Sequence, residues 1–292
     1  HKGGWYTHQH AVYTEGFLEK YKNILPDGVD VNLIRDLAGH HHNPSTPEEW
    51  IIAVADRLSS GSDRCNILND ENDNSNKFAD ESKLKFYEKP MVHLLTTLHL
   101  EGKEKSQLAY CKMKALDKDS ILATTDKKIS KEDYKKLWEE FENDFVNLQG
   151  LDFEQFEKSL LTLLERYWWC IPSATNVDSD VSLFQHAKTT AAFSSALYRY
   201  YEKEEHLDEF KINDSKDKKF LFVNGDISGI QKYIFDLKSA SDSAKLLRSK
   251  SFELWALSEI LSELICKEFG VTNANIVTSK MRYLVNTKIL QV

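Results

Sequence analysis

The chain has 292 residues, 41% hydrophobic and 29% charged, with a formal net charge of −8. That length suits two cores, because single cores stop growing at roughly 250 to 300 residues, and the net charge excludes a surface that attracts nucleic acid throughout by neutralising phosphates. No apolar run approaches the roughly 20 residues of a membrane span and no charged-then-apolar leader opens the sequence, so a soluble, cytoplasmic protein is expected.

In chain order, the apolar spacing of Val12, Phe17, Leu18 and Tyr21 predicts a helix over Ala11 to Tyr21, and Val31 to Leu37 begins another. Thr46-Pro47-Glu48-Glu49 combines an N-cap threonine, proline at the first helical position and glutamate three residues after the cap. A helix through Trp50 to Leu58 follows, ending near Gly61. Residues 66–84, rich in Asn, Asp, Ser and Lys, read as a mobile surface loop. Helical periodicity dominates from Lys85 to about Glu205, including Ser130 to Asn147 and Phe153 to Trp169. The polar run Asn213 to Lys219 then gives way to the strand-like Phe220-Leu221-Phe222-Val223, which sets a domain boundary between residues 212 and 213. A turn, a helix from Ser228, a long helix from about Ser243 to Phe269 and a β-type segment Asn275-Ile276-Val277 complete the second domain.

Four cysteines (Cys65, Cys111, Cys170, Cys266) form no CxxC pair, which argues against a zinc ribbon and a disulfide scaffold and predicts buried thiols in a reducing compartment. Metal-binding potential lies instead in His10, His41, His42 and Asp56, with His1, His8 and His40 close by in sequence. Imidazoles with a carboxylate suit Mn, Ni, Co and similar transition metals better than Mg or Ca, which prefer all-oxygen shells. Such a metal acidifies a bound water and polarises a phosphoryl oxygen, the chemistry of phosphodiester hydrolysis. Taken singly, each histidine fits a surface or capping role better than a metal; three in a row ahead of a capped helix carrying Asp56 favour the metal. Asp56 also interrupts an apolar run, where a carboxylate needs a metal or a cation as partner.

In the second domain, Asn224-Gly225-Asp226-Ile227-Ser228-Gly229-Ile230-Gln231 places Ser228 as an N-cap with Gln231 closing a capping box. The free N–H groups of that helix start and the small Gly229 suit a phosphate, and Asp226 suits either a metal bridging nucleotide phosphates or a plain turn. Neither a Walker loop nor a GxGxxG fingerprint is present.

These motifs carry a family resemblance. His10 ahead of Gly16-Phe17-Leu18, then Gly39-His40-His41-His42-Asn43-Pro44, then Trp50-Ile51-Ile52-Ala53 with Ala55-Asp56-Arg57-Leu58-Ser59-Ser60-Gly61, resembles the permuted HD domain of type III CRISPR large subunits of the Csm branch. Asp180 to Ala192 extends the likeness, with Gln185 where the family has Asp. More specific still, Gly225 to Phe235 with Ala244-Lys245-Leu246-Leu247-Arg248-Ser249-Lys250-Ser251-Phe252 looks like the start of the family's first Palm domain, with Ser249 for its Gly and Lys250 for its Arg.

The resemblance implies an α+β chain: an all-α permuted HD domain over residues 1–212, then the first part of a ferredoxin-like, nucleotidyl cyclase-like or polymerase-like Palm domain over 213–292. It implies single-stranded DNA hydrolysis at a Mn, Ni or Co site with His41, His42 and Asp56 as catalytic groups and His10, His41, His42 and Asp56 as ligands. The family's His-Asp doublet ahead of the equivalent of His10 is not in the sequence, so further ligands are expected from it. His186 and Lys188 are implied to sit beside the site or touch the bound strand, although a structural histidine fits His186 equally. ATP with Mg or Mn is implied at Asp226, Ser228, Gly229, Ile230, Gln231, Lys245, Arg248 and Ser251; cyclic oligoadenylate synthesis needs a second Palm bearing GGDD, a motif the chain lacks. Implied partners are other Csm-type subunits, guide RNA, target RNA and single-stranded DNA, with no membrane. The competing expectations are a non-catalytic scaffold of the same complex and a free-standing HD phosphohydrolase acting on nucleotides.

Overall fold

The computed structural model describes residues 9–64, 86–96, 107–175, 178–204, 206–225, 227–236 and 243–277, with the side chains of 9–12, 62–64 and 86 outside that set. The loop expected over 66–84 lies outside the described residues. Among the described residues the chain consists of helices, short 3-10 turns and isolated β-bridges pairing Val92 with Tyr110, Tyr110 with Thr124 and Pro172 with Ser182. No described helix is long and apolar enough to cross a membrane.

Near the N-terminus, α1 (Gln9–Tyr21) is followed by α2 (Val31–His40), whose cap Asp30 accepts from the backbone N–H of Asn32 and Leu33 at 2.9 and 3.1 Å. α3 (Pro47–Arg64) starts as the sequence predicts: Thr46 Oγ1 accepts from Glu49 N at 3.3 Å while Glu49 Oε2 accepts from Thr46 N at 3.1 Å. It does not stop near Gly61. Gly61 keeps a negative φ and so continues the helix, because glycine ends a helix by taking the left-handed conformation rather than by its presence alone.

One core forms around α4 (Lys131–Phe145) and α5 (Phe153–Trp168). Leu137, Phe141 and Phe145 recur every four residues on one face of α4 and meet Phe156, Leu163 and Tyr167 of α5. Phe17 and Tyr21 of α1 pack edge-on against Phe145 at ring-centre distances of 5.0 and 5.3 Å. Residues 107–129 depart from the helical structure expected to dominate after Lys85: bridges and turns there deliver Cys111 and Met113 to this core. Burial pushes the Cys111 thiol up to about 11 and the Cys170 thiol up to about 12, which keeps both protonated and inert.

The second core positions the candidate site. Ile51, Ala55 and Ser59, spaced by four, form a buried stripe along α3, the helix that packs most extensively on α6 (Leu183–Tyr201). Leu197 and Tyr201 of α6 and Ile212 of α7 (Glu209–Asn213) complete it, with Phe193 edge-on to Phe220 at 5.1 Å. The small Ala55 lets the two helix backbones approach closely. α6 itself begins at a capping box in which Ser182 Oγ accepts from Gln185 N at 3.1 Å and Gln185 Oε1 accepts from Ser182 N at 2.9 Å.

Downstream, α8 (Ile230–Phe235) and α9 (Ser243–Phe269) are joined by Lys250, whose ammonium donates to the carbonyls of Tyr233 and Asp236 at 2.6 and 2.9 Å. Leu221, Phe222 and Val223 are exposed and unpaired in any ladder among the described residues, and α9 exposes Phe252, Ile260, Leu264 and Phe269. The β-type segment expected at Asn275 is instead a 3-10 turn, Asn273–Asn275. Its reason is local: the Asn275 side chain accepts from Thr272 N at 3.2 Å and from Ser195 Oγ at 2.6 Å and donates to the Ala192 carbonyl at 2.9 Å. Together with Lys188 Nζ donating to the Ile276 carbonyl at 2.7 Å and Glu157 accepting from Asn273 N at 2.9 Å, this hooks the end of α9 onto α5 and α6.

Leu197 is fully buried where α3 meets α6. Leu197→Ala is expected to cost about 3 kcal/mol by removing methyl groups and leaving a void, read as a lower urea midpoint at unchanged slope.

Candidate metal centre

The α3 stripe fixes where Asp56 stands. One residue beyond Ala55, it lies at the edge of the α3–α6 contact, with its side chain 25% exposed. The partner that its apolar surroundings demand is His186, four residues after the cap of α6, whose Nε2 is 3.1 Å from Asp56 Oδ1. Behind it, the fully buried Ser59 places Oγ 3.0 Å from His186 Nδ1 and 3.1 Å from the His186 carbonyl. The hydrogen bond from His186 holds the Asp56 carboxyl below the usual carboxylate range; burial opposes this, and the charges of His186, His41 and His42 reinforce it.

His41 and His42 follow directly on α2, their rings 3.9 Å apart between centres, and both are near enough to act electrostatically on Asp56. His41 Nδ1 lies 2.7 Å from the Ala38 carbonyl. That contact makes Nδ1 the donor; in the neutral ring the lone pair is then on Nε2, the orientation a metal-binding histidine needs. Two imidazoles and a carboxylate fit Mn, Ni or Co by donor type. Among the described residues, no three ligand side chains already converge as a closed set. The side chain of His10 on α1 and all of His1 and His8 lie outside the described residues.

His40 serves the helix start. Its Nδ1 is 2.8 Å from Glu49 Oε1, while Glu49 Oε2 accepts from Ser45 N at 2.6 Å and Ser45 Oγ at 2.9 Å. Burial pushes the Glu49 carboxyl up, but the bonds from Ser45, His40 and Thr46 outweigh it and leave the group below its ordinary 4.5. Lys188, sequence-paired with His186, reaches the Ile276 carbonyl instead, and so ties the site's helix to the second part of the chain.

Two contributors escaped the sequence reading. Ser59 is a polar residue on an otherwise apolar four-residue stripe, and Gln185 stands three residues after Ser182 in a capping-box spacing. Both signals are present in the sequence.

At the turn proposed for nucleotide, Asp226 lies outside the described residues. Ser228 is not the N-cap. Gly229 takes that position at φ 76° in the left-handed region, with no side-chain cap, and α8 starts at Ile230. A glycine that absorbs the turn removes the need for a serine cap. Ser228, Gly229, Ile230 and Gln231 are exposed there, as are Lys245, Arg248 and Ser251 along the first turns of α9.

Residues 219–284 match the family model described as Csm1 subunit domain B. A relative from Methanocaldococcus jannaschii, named CRISPR system single-strand-specific deoxyribonuclease Cas10/Csm1 (subtype III-A), is 31% identical over 289 residues, covering 88% of this chain and 35% of the relative. The chain belongs to the Cas10/Csm1 large-subunit family. Relatives of the same name from Enterococcus italicus and Streptococcus thermophilus are 27% and 28% identical, covering 91% and 78% of this chain and 36% and 30% of their own lengths. The chain thus spans about a third of the Cas10/Csm1 relatives it matches, and the domain B match opens at the junction where Phe220 leaves the second core.

Because the folded Glu49 carboxyl is depressed, its stabilisation is complete above pH 4.5 and is lost as pH falls through the folded value. Glu49→Gln is therefore expected to flatten the acid-unfolding profile below pH 4.5 while lowering stability at pH 7, as followed by circular dichroism.

Proposed function

We propose that the chain forms part of the large subunit of an RNA-guided type III CRISPR complex acting in the cytoplasm, with a metal-dependent HD domain that hydrolyses single-stranded DNA. The observation that carries this reading is the Asp56–His186 pair at the α3–α6 contact, with His41 and His42 near enough to act electrostatically on Asp56. The names of the relatives, single-strand-specific deoxyribonucleases, support the substrate class.

In this reading His41, His42 and Asp56, with His10, hold a Mn, Ni or Co ion. An ion held there would acidify a water for attack and polarise the scissile phosphate. The chain's own work is to keep Asp56 ionised and oriented through His186, and to hold the His41 proton on Nδ1 against Ala38, leaving Nε2 as donor. The negative overall charge places the attraction for DNA in the metal and partner subunits rather than in the surface at large.

The second part is read as the opening of a ferredoxin-like Palm domain that binds ATP for cyclic oligoadenylate synthesis, complete only with a second, GGDD-bearing Palm. Exposed apolar residues at 221–223 and along α9 support it, since a strand and a helix of this kind need a sheet to pack into. Asp226, Ser228 to Gln231, Lys245, Arg248 and Ser251 are assigned to the nucleotide, and other Csm subunits, guide RNA and target RNA are the assigned partners.

In the full-length protein, single-stranded DNA cleavage is expected with Mn(II), to vanish in EDTA, and to fall on the order of 100-fold in Asp56→Ala; equal cleavage under all conditions would sink the HD reading. ATP binding, measured by calorimetry, is expected to weaken about tenfold or more in Asp226→Ala and Arg248→Ala through loss of charged phosphate contacts.

A further inference from the structure

Away from Asp56, where the start of α3 meets the end of α6, the surface opens into a cavity of about 340 Å³. Its inner wall is Ile51 of α3 and Tyr201 of α6, both buried, and its outer wall carries Tyr198, 53% exposed, with the exposed Glu48, Glu202 and Glu204. Among the described residues, no lysine, arginine or histidine lines it. Glu202 is held by Arg199, whose Nη1 donates to both carboxylate oxygens at 2.9 Å, and Glu204 accepts from the Lys211 ammonium. Glu48 has no such cation among the described residues. Three carboxylates against two paired cations leave the cavity one negative charge in excess.

That lining selects among ligands. An anion gains little at the start of α3, because Pro47 has no N–H and the Glu49 N–H is already taken by Thr46 Oγ1 at 3.3 Å. Nor do the carboxylates converge as a metal-binding group among the described residues, which leaves an organic cation. Within that class a guanidinium fits better than an ammonium: it is more weakly hydrated, lies flat on an aromatic face such as Tyr198, and offers a fork of N–H donors. A carboxylate has about four acceptor sites, so Glu202 and Glu204 retain capacity beside Arg199 and Lys211. The carbonyl end of α6, at Tyr201, adds partial negative charge. We infer that this cavity receives one arginine side chain presented by a partner protein. One guanidinium balances the one excess charge, and an arginine already fixed on another surface loses less freedom in binding than a free small cation making the same contacts.

The test uses the full-length protein, alone and in the complex purified with its partner subunits. In saturation-transfer NMR, the probe N-acetyl-arginine methylamide is expected to bind the protein alone, its neutral citrulline counterpart about tenfold more weakly or worse, and its lysine counterpart less well than arginine. Tyr198→Ala is expected to weaken arginine-probe binding about tenfold and Glu48→Gln about fivefold, whereas Tyr198→Phe keeps the ring and the affinity. Both positions are exposed, so thermal unfolding of these variants is expected to be unchanged. In the complex the cavity is expected to be filled and the probe excluded. No transfer to the arginine probe, equal binding of the arginine and citrulline probes, or unchanged affinity in both Tyr198→Ala and Glu48→Gln would overturn the site. Undiminished probe binding in the complex, or spermidine binding more tightly than the arginine probe and weakened by the same substitutions, would overturn the partner arginine in favour of a free cation. Should Tyr198→Ala not fold, Glu48→Gln and the citrulline comparison decide alone. The arm with the complex rests on the proposed membership of one; the measurements on the protein alone do not.

Discussion

The contact between α3 and α6 is the constraint on which the rest of the site depends. Ile51, Ala55 and Ser59 give α3 one buried edge, and the absence of bulk at Ala55 lets α6 lie close along it. Burial alone would make this an ordinary helix pair. What distinguishes it is that the edge ends in a hydroxyl, with a carboxylate beside it, against a histidine from the opposing helix. A buried polar cluster is tolerated only when its members satisfy one another, so packing and polar pairing at this junction enforce the same geometry.

The same α6 helix also connects the two parts of the chain. Its first turns carry His186 toward Asp56 and Lys188 toward the Ile276 carbonyl, and its middle holds the Asn275 amide through Ala192 and Ser195. The domain B segment is thereby anchored by directional bonds to the helix that positions the candidate carboxylate. Around α9, by contrast, apolar side chains stand exposed, and the polar hook at Thr272 to Ile276 together with the Lys158–Glu263 ion pair attaches this helix to the helical part.

Local chemistry in the sequence reached far. The helix start at Thr46 to Glu49 and the α4 capping box need only neighbouring residues, and the span of α9 follows from its apolar period. Where a local rule had two solutions, it misled: Ser228 had cap chemistry, yet the left-handed Gly229 beside it took the turn, and Gly61 continued a helix it was expected to end. Asn275 looked extended until a bond to α6, some 80 residues earlier, curled it into a 3-10 turn. His40 belonged to the histidine cluster by spacing but was drawn to Glu49, a capping partner nine residues along the chain.

By itself, the sequence determined the family through its motifs and the need of Asp56 for a partner, because each depends on residue identity and on local spacing. Tertiary structure decided which partner it found. Asp56 and His186 are 130 positions apart, and nothing in the spacing of either segment shows that α3 and α6 lie side by side in the register that joins them. That register comes from the packing of Ile51, Ala55, Leu197 and Tyr201, a property of two surfaces together rather than of either sequence alone.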